Sequence, residues 1–198
     1  MDLHVNISLL LISYGIGSIP TALLYSNWFH KQDIRKLGDG NMGARNTKRT
    51  VGFRAGLLVA LIDIAKGVLV VWLSILLDFS LGWQILCAGM VILGHDFPVF
   101  AELKGGQGFA TTVGVLLGFF PWQTLLGFAV YSIVFMVFHN SDIAAGIGAG
   151  LVILQAVLSA MPFILIAFCV SALIFIPFKK WFDRSRRLNN IGHSKGSS

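Results

Sequence analysis

Three short polar segments carry the residue types that hold anions. The first is Gly38-Asp39-Gly40-Asn41-Met42-Gly43-Ala44-Arg45-Asn46-Thr47-Lys48-Arg49, the second Lys104-Gly105-Gly106-Gln107-Gly108, and the third Asn140-Ser141-Asp142. Each stands just before a long apolar run. A helix N-terminus presents unpaired N–H groups and a partial positive charge. Glycines let a backbone approach a bound anion closely, so a glycine-rich loop that feeds a helix is a natural phosphate site. Arg45, Lys48, Arg49 and Lys104 add fixed charge. The chemistry expected is binding of an anionic, phosphorylated ligand. A nucleotide loop is excluded, because no Gly-Lys-Ser/Thr stands at the required spacing.

Each feature also has a plainer reading. Glycine in apolar helices commonly serves helix packing, and a basic run serves topology and contact with anionic lipid. Ser141 or Asp142 suits a helix N-cap. His95, after Gly94, is either a hydrogen-bonded structural residue or a catalyst. Asp63 and Lys66, three residues apart in an apolar run, either line a polar cavity or lock two helices. Cys87 and Cys169 stand alone, without the spacing of a metal site or a disulfide framework. No metal or cofactor is expected.

The elements that must position these groups are membrane helices. The chain has 198 residues, of which 56% are hydrophobic and 12% charged, with a net charge of +6 and a mean hydropathy of +0.78. That excludes disorder and an ordinary soluble domain. A crossing needs about 20 apolar residues. The runs predict helices over about 3–25, 53–77, 81–100, 109–120, 122–138, 143–160 and 162–178, with Pro121 dividing a stretch too long for one crossing. Gly15, Gly17 and Pro20 predict a bend in the first. That first run lacks a basic leader and a cleavage site, and reads as a retained helix. A single membrane domain (1–178) and a basic tail (179–198), flexible from Gly192, are expected. All Lys and Arg except Lys66 then fall on one side. The positive-inside rule places the C-terminus in the cytoplasm and the N-terminus outside. The fold expected is all-α, an integral membrane protein with seven transmembrane helices.

Several segments, in order, resemble the bacterial membrane glycerol-3-phosphate acyltransferases that use acyl phosphate as donor. They are Gly17-Ser18-Ile19-Pro20, the Gly38 to Arg49 segment, Asp63-Ile64-Ala65-Lys66-Gly67, Gly94-His95-Asp96-Phe97-Pro98-Val99-Phe100, Lys104 to Thr111 and, more weakly, Ser141 to Ala144. The resemblance implies seven helices in the inner (cytoplasmic) membrane of a bacterial cell, with the motifs on the inner face. It implies transfer of a fatty acyl group from acyl phosphate to the 1-hydroxyl of glycerol 3-phosphate, giving lysophosphatidic acid and phosphate for phospholipid synthesis. The partners are these two substrates and membrane lipids, with no nucleic acid. The residues it points to are Asn41 and Asn46, orienting the acceptor, His95, supporting the loops, and Ser141. Phosphate would be held by Arg45, Arg49, Lys104 and the Gly105-Gly106-Gln107-Gly108 backbone.

The chain departs from the family inside these motifs. Asp39 stands where serine is usual, Arg45 where threonine is usual and Gln107 where lysine is usual, and the usual His-Arg-x-Asn-Ile pattern near the C-terminus is not matched by Trp181 to Ser185. Arg45 restores a charge lost at Gln107, and Asp39 opposes phosphate unless it pairs with Arg45. The departures are compatible with the same reaction, with an altered acceptor, or with lipid-phosphate binding without turnover. A small transporter is the alternative from another class, favoured by Asp63 and Lys66 alone.

Overall fold

The computed structural model describes residues 3–195, with side chains for 4–185. Among the described residues the chain is helical throughout, without strands. Helix α1 (Leu3–Ser18) and α2 (Thr21–His30) form one broken span, interrupted where Pro20 removes a backbone donor. A short helix, α3 (Ala44–Thr50), begins inside the first polar segment. Helices α4 (Phe53–Leu76), α5 (Leu81–Asp96), α6 (Phe109–Phe119), α7 (Pro121–Phe138) and α8 (Ser141–Leu158) follow the expected runs within a few residues. Pro121 takes the first turn of α7, where its missing N–H has no partner to lose. Among the described residues, six stretches are long and apolar enough to cross a membrane, and α6 is a shorter apolar helix.

Two ends differ from expectation. The last helix, α9 (Phe163–Lys195), does not stop at Phe178 but continues past Pro177 into the basic segment. Lys179 supports the continuation by a bond of 2.6 Å to Asp183, one turn on. Residues 196–198, and the side chains of Arg186 and Arg187, lie outside the described residues. The cap of α8 is Asn140, not Ser141 or Asp142. Its side chain accepts from the N–H groups of Asp142 and Ile143 at 3.0 and 3.1 Å, because its backbone is extended while Ser141 is already helical.

Close helix pairs hold the bundle, and glycine sets their distance. Gly17 of α1 faces Gly94 of α5, where a Cβ on either would lie 3.1 Å from the other's Cα. On α6, a Cβ at Gly114 would lie 3.0 Å from the Ile64 Cα of α4. On α8, a Cβ at Gly148 would lie 2.7 Å from the Gly127 carbonyl oxygen of α7. Such contacts let backbones approach where apolar burial does not drive association. Val70, Val71, Val91, Val115 and Phe120 fill the interior. Leu61, Trp72, Leu126, Phe128 and Ile164 point outward, as a lipid-facing surface requires.

Candidate functional site

The loop from Gly38 to Gly43 is built around one buried amide. Asn46, on the first turn of α3, donates through Nδ2 to the carbonyls of Leu37 and Asn41, each at 3.0 Å, and accepts from the Asp39 N–H at 3.2 Å. Asn41 Oδ1 in turn accepts from the Gly43 N–H at 2.7 Å, and Asp39 Oδ1 from the Asn41 N–H at 3.1 Å. These bonds fold the loop over the start of α3 and bury Asn41 and Asn46.

The charges pair differently from expectation. Asp39 meets Arg49 at 2.8 Å, not Arg45. The helix explains this. Asn46 fixes Asp39, and Arg49, three residues on, shares Asn46's face, whereas Arg45 is turned away. Arg45 instead reaches Asp142 at 3.4 Å, and Lys180 reaches the same carboxylate at 2.6 Å.

Lys104 is also held elsewhere. It meets Glu102 at 2.7 Å, Glu102 meets Arg35 at 3.3 Å, and Arg35 meets Asp33 at 2.9 Å. This chain clasps the two loops together. Lys104 holds the Glu102 carboxyl below its usual range, and Arg35 does the same for Asp33.

The Gly105 to Gly108 backbone packs on the end of α5 and does not open as a cradle. The Gly106 N–H donates to the His95 carbonyl at 3.1 Å, and a Cβ on Gly106 would fall on the His95 imidazole. At Gly108, which has φ +70°, a Cβ would stand 3.0 Å from the Asp96 carboxylate. The glycines are required by this packing. Asp96 is fully buried, and among the described residues neither carboxylate oxygen has a hydrogen-bond partner.

Under the loop lies a buried polar knot. Lys66 Nζ donates to Asp63 Oδ1 at 2.8 Å, to Thr21 Oγ1 at 2.6 Å and to the Ile19 carbonyl at 2.6 Å. The Thr21 hydroxyl donates in turn to Asp63 Oδ1 at 3.0 Å. The break at Pro20 thus exposes a carbonyl that satisfies a buried ammonium, and both sequence readings of the pair hold together. It locks α4 to the broken span, and Asp63 also lines a cavity. The His95 imidazole lies 3.6 Å from Asp63, beyond good hydrogen-bond length.

Two hollows meet at this face. One is a polar cavity of about 210 Å³, lined by Asp39, Asn41, Arg45, Asn46, Asp63, His95, Gln107, Lys180 and Arg184, among others. The other is a groove of about 560 Å³ between α8 and α9, with apolar walls that include Ala149, Ile153, Val170 and Leu173. Arg45, Gln107, Phe109 and Lys180 line both. Of the residues singled out from sequence, Asn41, Asn46, His95, Arg45, Gln107 and Asp39 come together here. Arg49, Lys104, Gly105, Gly106, Gly108 and Ser141 do not line either hollow. Lys180 and Arg184 were missed because the last helix was ended too soon. Their spacing of four, continued as helix, places both on one face.

The likenesses to known proteins follow this geometry. A family model described as glycerol-3-phosphate acyltransferase matches residues 7–187. The glycerol-3-phosphate acyltransferase 2 of Bacillus anthracis is 45% identical over 126 residues, 64% of this chain and 66% of that protein. That of Moorella thermoacetica (strain ATCC 39073 / JCM 9320) is 40% identical over 171 residues, 83% of this chain and 85% of the relative. The match spans just under two thirds of the Bacillus relative and of that from Streptococcus equi subsp. zooepidemicus. The crystal structure of PlsY (YgiH), an integral membrane glycerol 3-phosphate acyltransferase, in its glycerol 3-phosphate form, superposes with a TM-score of 0.83 at 25% identity, over 93% of this chain and 92% of that one. With a family match across nearly the whole described chain, and an integral membrane fold shared with that structure, the protein belongs to the glycerol-3-phosphate acyltransferase family.

Proposed function

We propose that this protein transfers a long-chain acyl group from acyl phosphate to the 1-hydroxyl of glycerol 3-phosphate. One observation carries the reading. A polar cavity of acceptor size opens beside an apolar groove, and the two share a rim of Arg45, Gln107, Phe109 and Lys180. An amphipathic donor seats its chain in the groove and its phosphate at the rim, which brings its carbonyl carbon to the cavity where a polar acceptor waits.

The donor is a mixed anhydride, so its acyl carbon is already activated. The acceptor hydroxyl forms the new C–O bond, the bond to the phosphate oxygen breaks, and the hydroxyl proton leaves with inorganic phosphate. The protein's part is placement and charge stabilisation. Asn41 and Asn46 shape the acceptor's wall. Arg45, Lys180 and Arg184 are the cations facing the phosphates. Arg49 acts at one remove, neutralising Asp39 so that its carboxylate does not repel the anions. The reading places this face toward the cytoplasm of a bacterial inner membrane, with the chain crossing seven times.

The test uses purified protein in lipid with palmitoyl phosphate and glycerol 3-phosphate. Matched, protein-dependent formation of phosphate and lysophosphatidic acid is the expected result. Phosphate release without lysolipid, or neither product from folded protein, overturns it.

A further inference from the structure

The wall of the apolar groove contains glycines that helix packing does not call for. Helix α8 carries Gly146, Gly148 and Gly150. Gly148 is buried against α7, and a Cβ there would meet the Gly127 carbonyl oxygen at 2.7 Å and Tyr131 at 3.2 Å. A Cβ on Gly146 or Gly150 would meet nothing within 4 Å. Both weaken the helix relative to alanine, and neither has a positive φ. Both line the groove, one turn apart on the same face of α8. The empty space beside them is the groove itself.

We propose that Gly146 and Gly150 set the length of acyl chain that the groove accepts. The proposal rests on the donor reading above. The occupant follows from the two ends of the hollow. Arg45 and Lys180 attract an anionic head at the mouth, and Ile153, Val170, Leu173 and Ile174 line the apolar part. Measured from Asp142 at the rim, the helical rise puts Gly146 about 6 Å in, Gly150 about 12 Å in and Ile153 about 16 Å in. An extended hydrocarbon advances about 1.25 Å per carbon, from ordinary C–C bond lengths. Gly150 therefore stands beside about the tenth carbon, and Ile153 beside about the thirteenth. A side chain at 150 obstructs long chains and spares short ones. One at 146 obstructs medium chains as well.

The experiment measures binding of hexyl, decyl and hexadecyl phosphate to the full-length protein in lipid nanodiscs. These compounds carry no acyl group to transfer, so they read the groove apart from turnover. Wild-type affinity is expected to rise from hexyl to decyl phosphate. Gly150→Leu is expected to weaken hexadecyl phosphate about tenfold or more, since the leucine side chain occupies space that the long chain fills, with hexyl phosphate unchanged. Gly146→Leu is expected to weaken decyl phosphate as well. Gly150→Ala, the gentler change, is expected to shift the profile in the same direction and serves if the leucine variant does not fold. Equal affinities for all chains in the wild type, or a folded Gly150 variant that loses all chain lengths alike or none, overturns the proposal. If the wild type discriminates chain length but makes no lysophosphatidic acid, the reaction reading fails and the groove assignment stands. If it makes lysophosphatidic acid but binds every chain alike, the groove assignment fails and the reaction stands.

Discussion

Lys180 Nζ lies 2.6 Å from Asp142 Oδ2, joining residues 38 apart in sequence and tying the last helix to the start of α8 at the rim of both hollows. The same carboxylate also holds Arg45. Under the proposed reaction, a donor phosphate entering the rim would replace Asp142 as the partner of these cations. Lys180→Met is therefore expected to raise the KM for acyl phosphate about tenfold, as loss of a charge-assisted contact does, with a smaller change in the KM for glycerol 3-phosphate. Steady-state kinetics with each substrate varied in turn checks this.

The knot of Asp63, Lys66 and Thr21 is buried, with Asp63 1% and Lys66 5% exposed. Removing one charge leaves the other buried without its ion-pair partner. Lys66→Met is expected to destabilise the protein by about 3–5 kcal/mol. Asp63→Asn combined with Lys66→Met is expected to recover part of that loss, because no uncompensated charge remains. Thermal unfolding in detergent compares the two variants. Equal losses would argue against a coupled pair.

Gly106 and His95 occupy adjoining space. Gly106→Ala drives a methyl group into the imidazole and is expected to cost about 1–3 kcal/mol. In His95→Ala the ring is gone, and the same Gly106 change is expected to cost little there. A double-mutant cycle on unfolding free energy measures the coupling. Additive losses would contradict the packing role given to Gly106.

Asp96 buries a carboxylate whose oxygens have no hydrogen-bond partner among the described residues. Such a group opposes folding. Asp96→Asn keeps the shape and removes the ionisable group, so a rise in melting temperature is expected. A fall would show that the carboxylate holds a partner that asparagine cannot.

The fold was legible where one physical requirement acts along a single stretch of chain. Apolar length located the spans, and Pro121 divided α6 from α7 because a proline fits a first turn and not an interior. The site was legible as three loops with anion-binding composition, and Asn41, Asn46, His95, Arg45 and Gln107 do meet at one cavity. Partner choice was not legible. Asp39 had two arginines within reach, and the selection of Arg49 over Arg45 depends on α3, a helix of 7 residues that forms inside a polar loop. Lys104 was assigned to phosphate from its place beside glycines, yet Glu102, two residues before it, holds it in a clasp with Arg35. Lys180 and Arg184 were hidden because the helix that carries them outlasts the apolar run. The apolar run ends at Phe178, but α9 carries Pro177 internally and continues into the basic segment.

Helix α6 has 11 residues, about 16 Å of rise, roughly half the thickness of a bilayer's hydrocarbon. Its contacts are chiefly with α4, through the close approach at Gly114 and Ile64. During synthesis such a segment is a weak signal for independent insertion. Its seat in the bundle is the face of α4, and the Lys104 to Gly108 loop at its head is positioned with it. The loop that brings Gln107 to the cavity wall is thus attached to a helix whose chief support is α4.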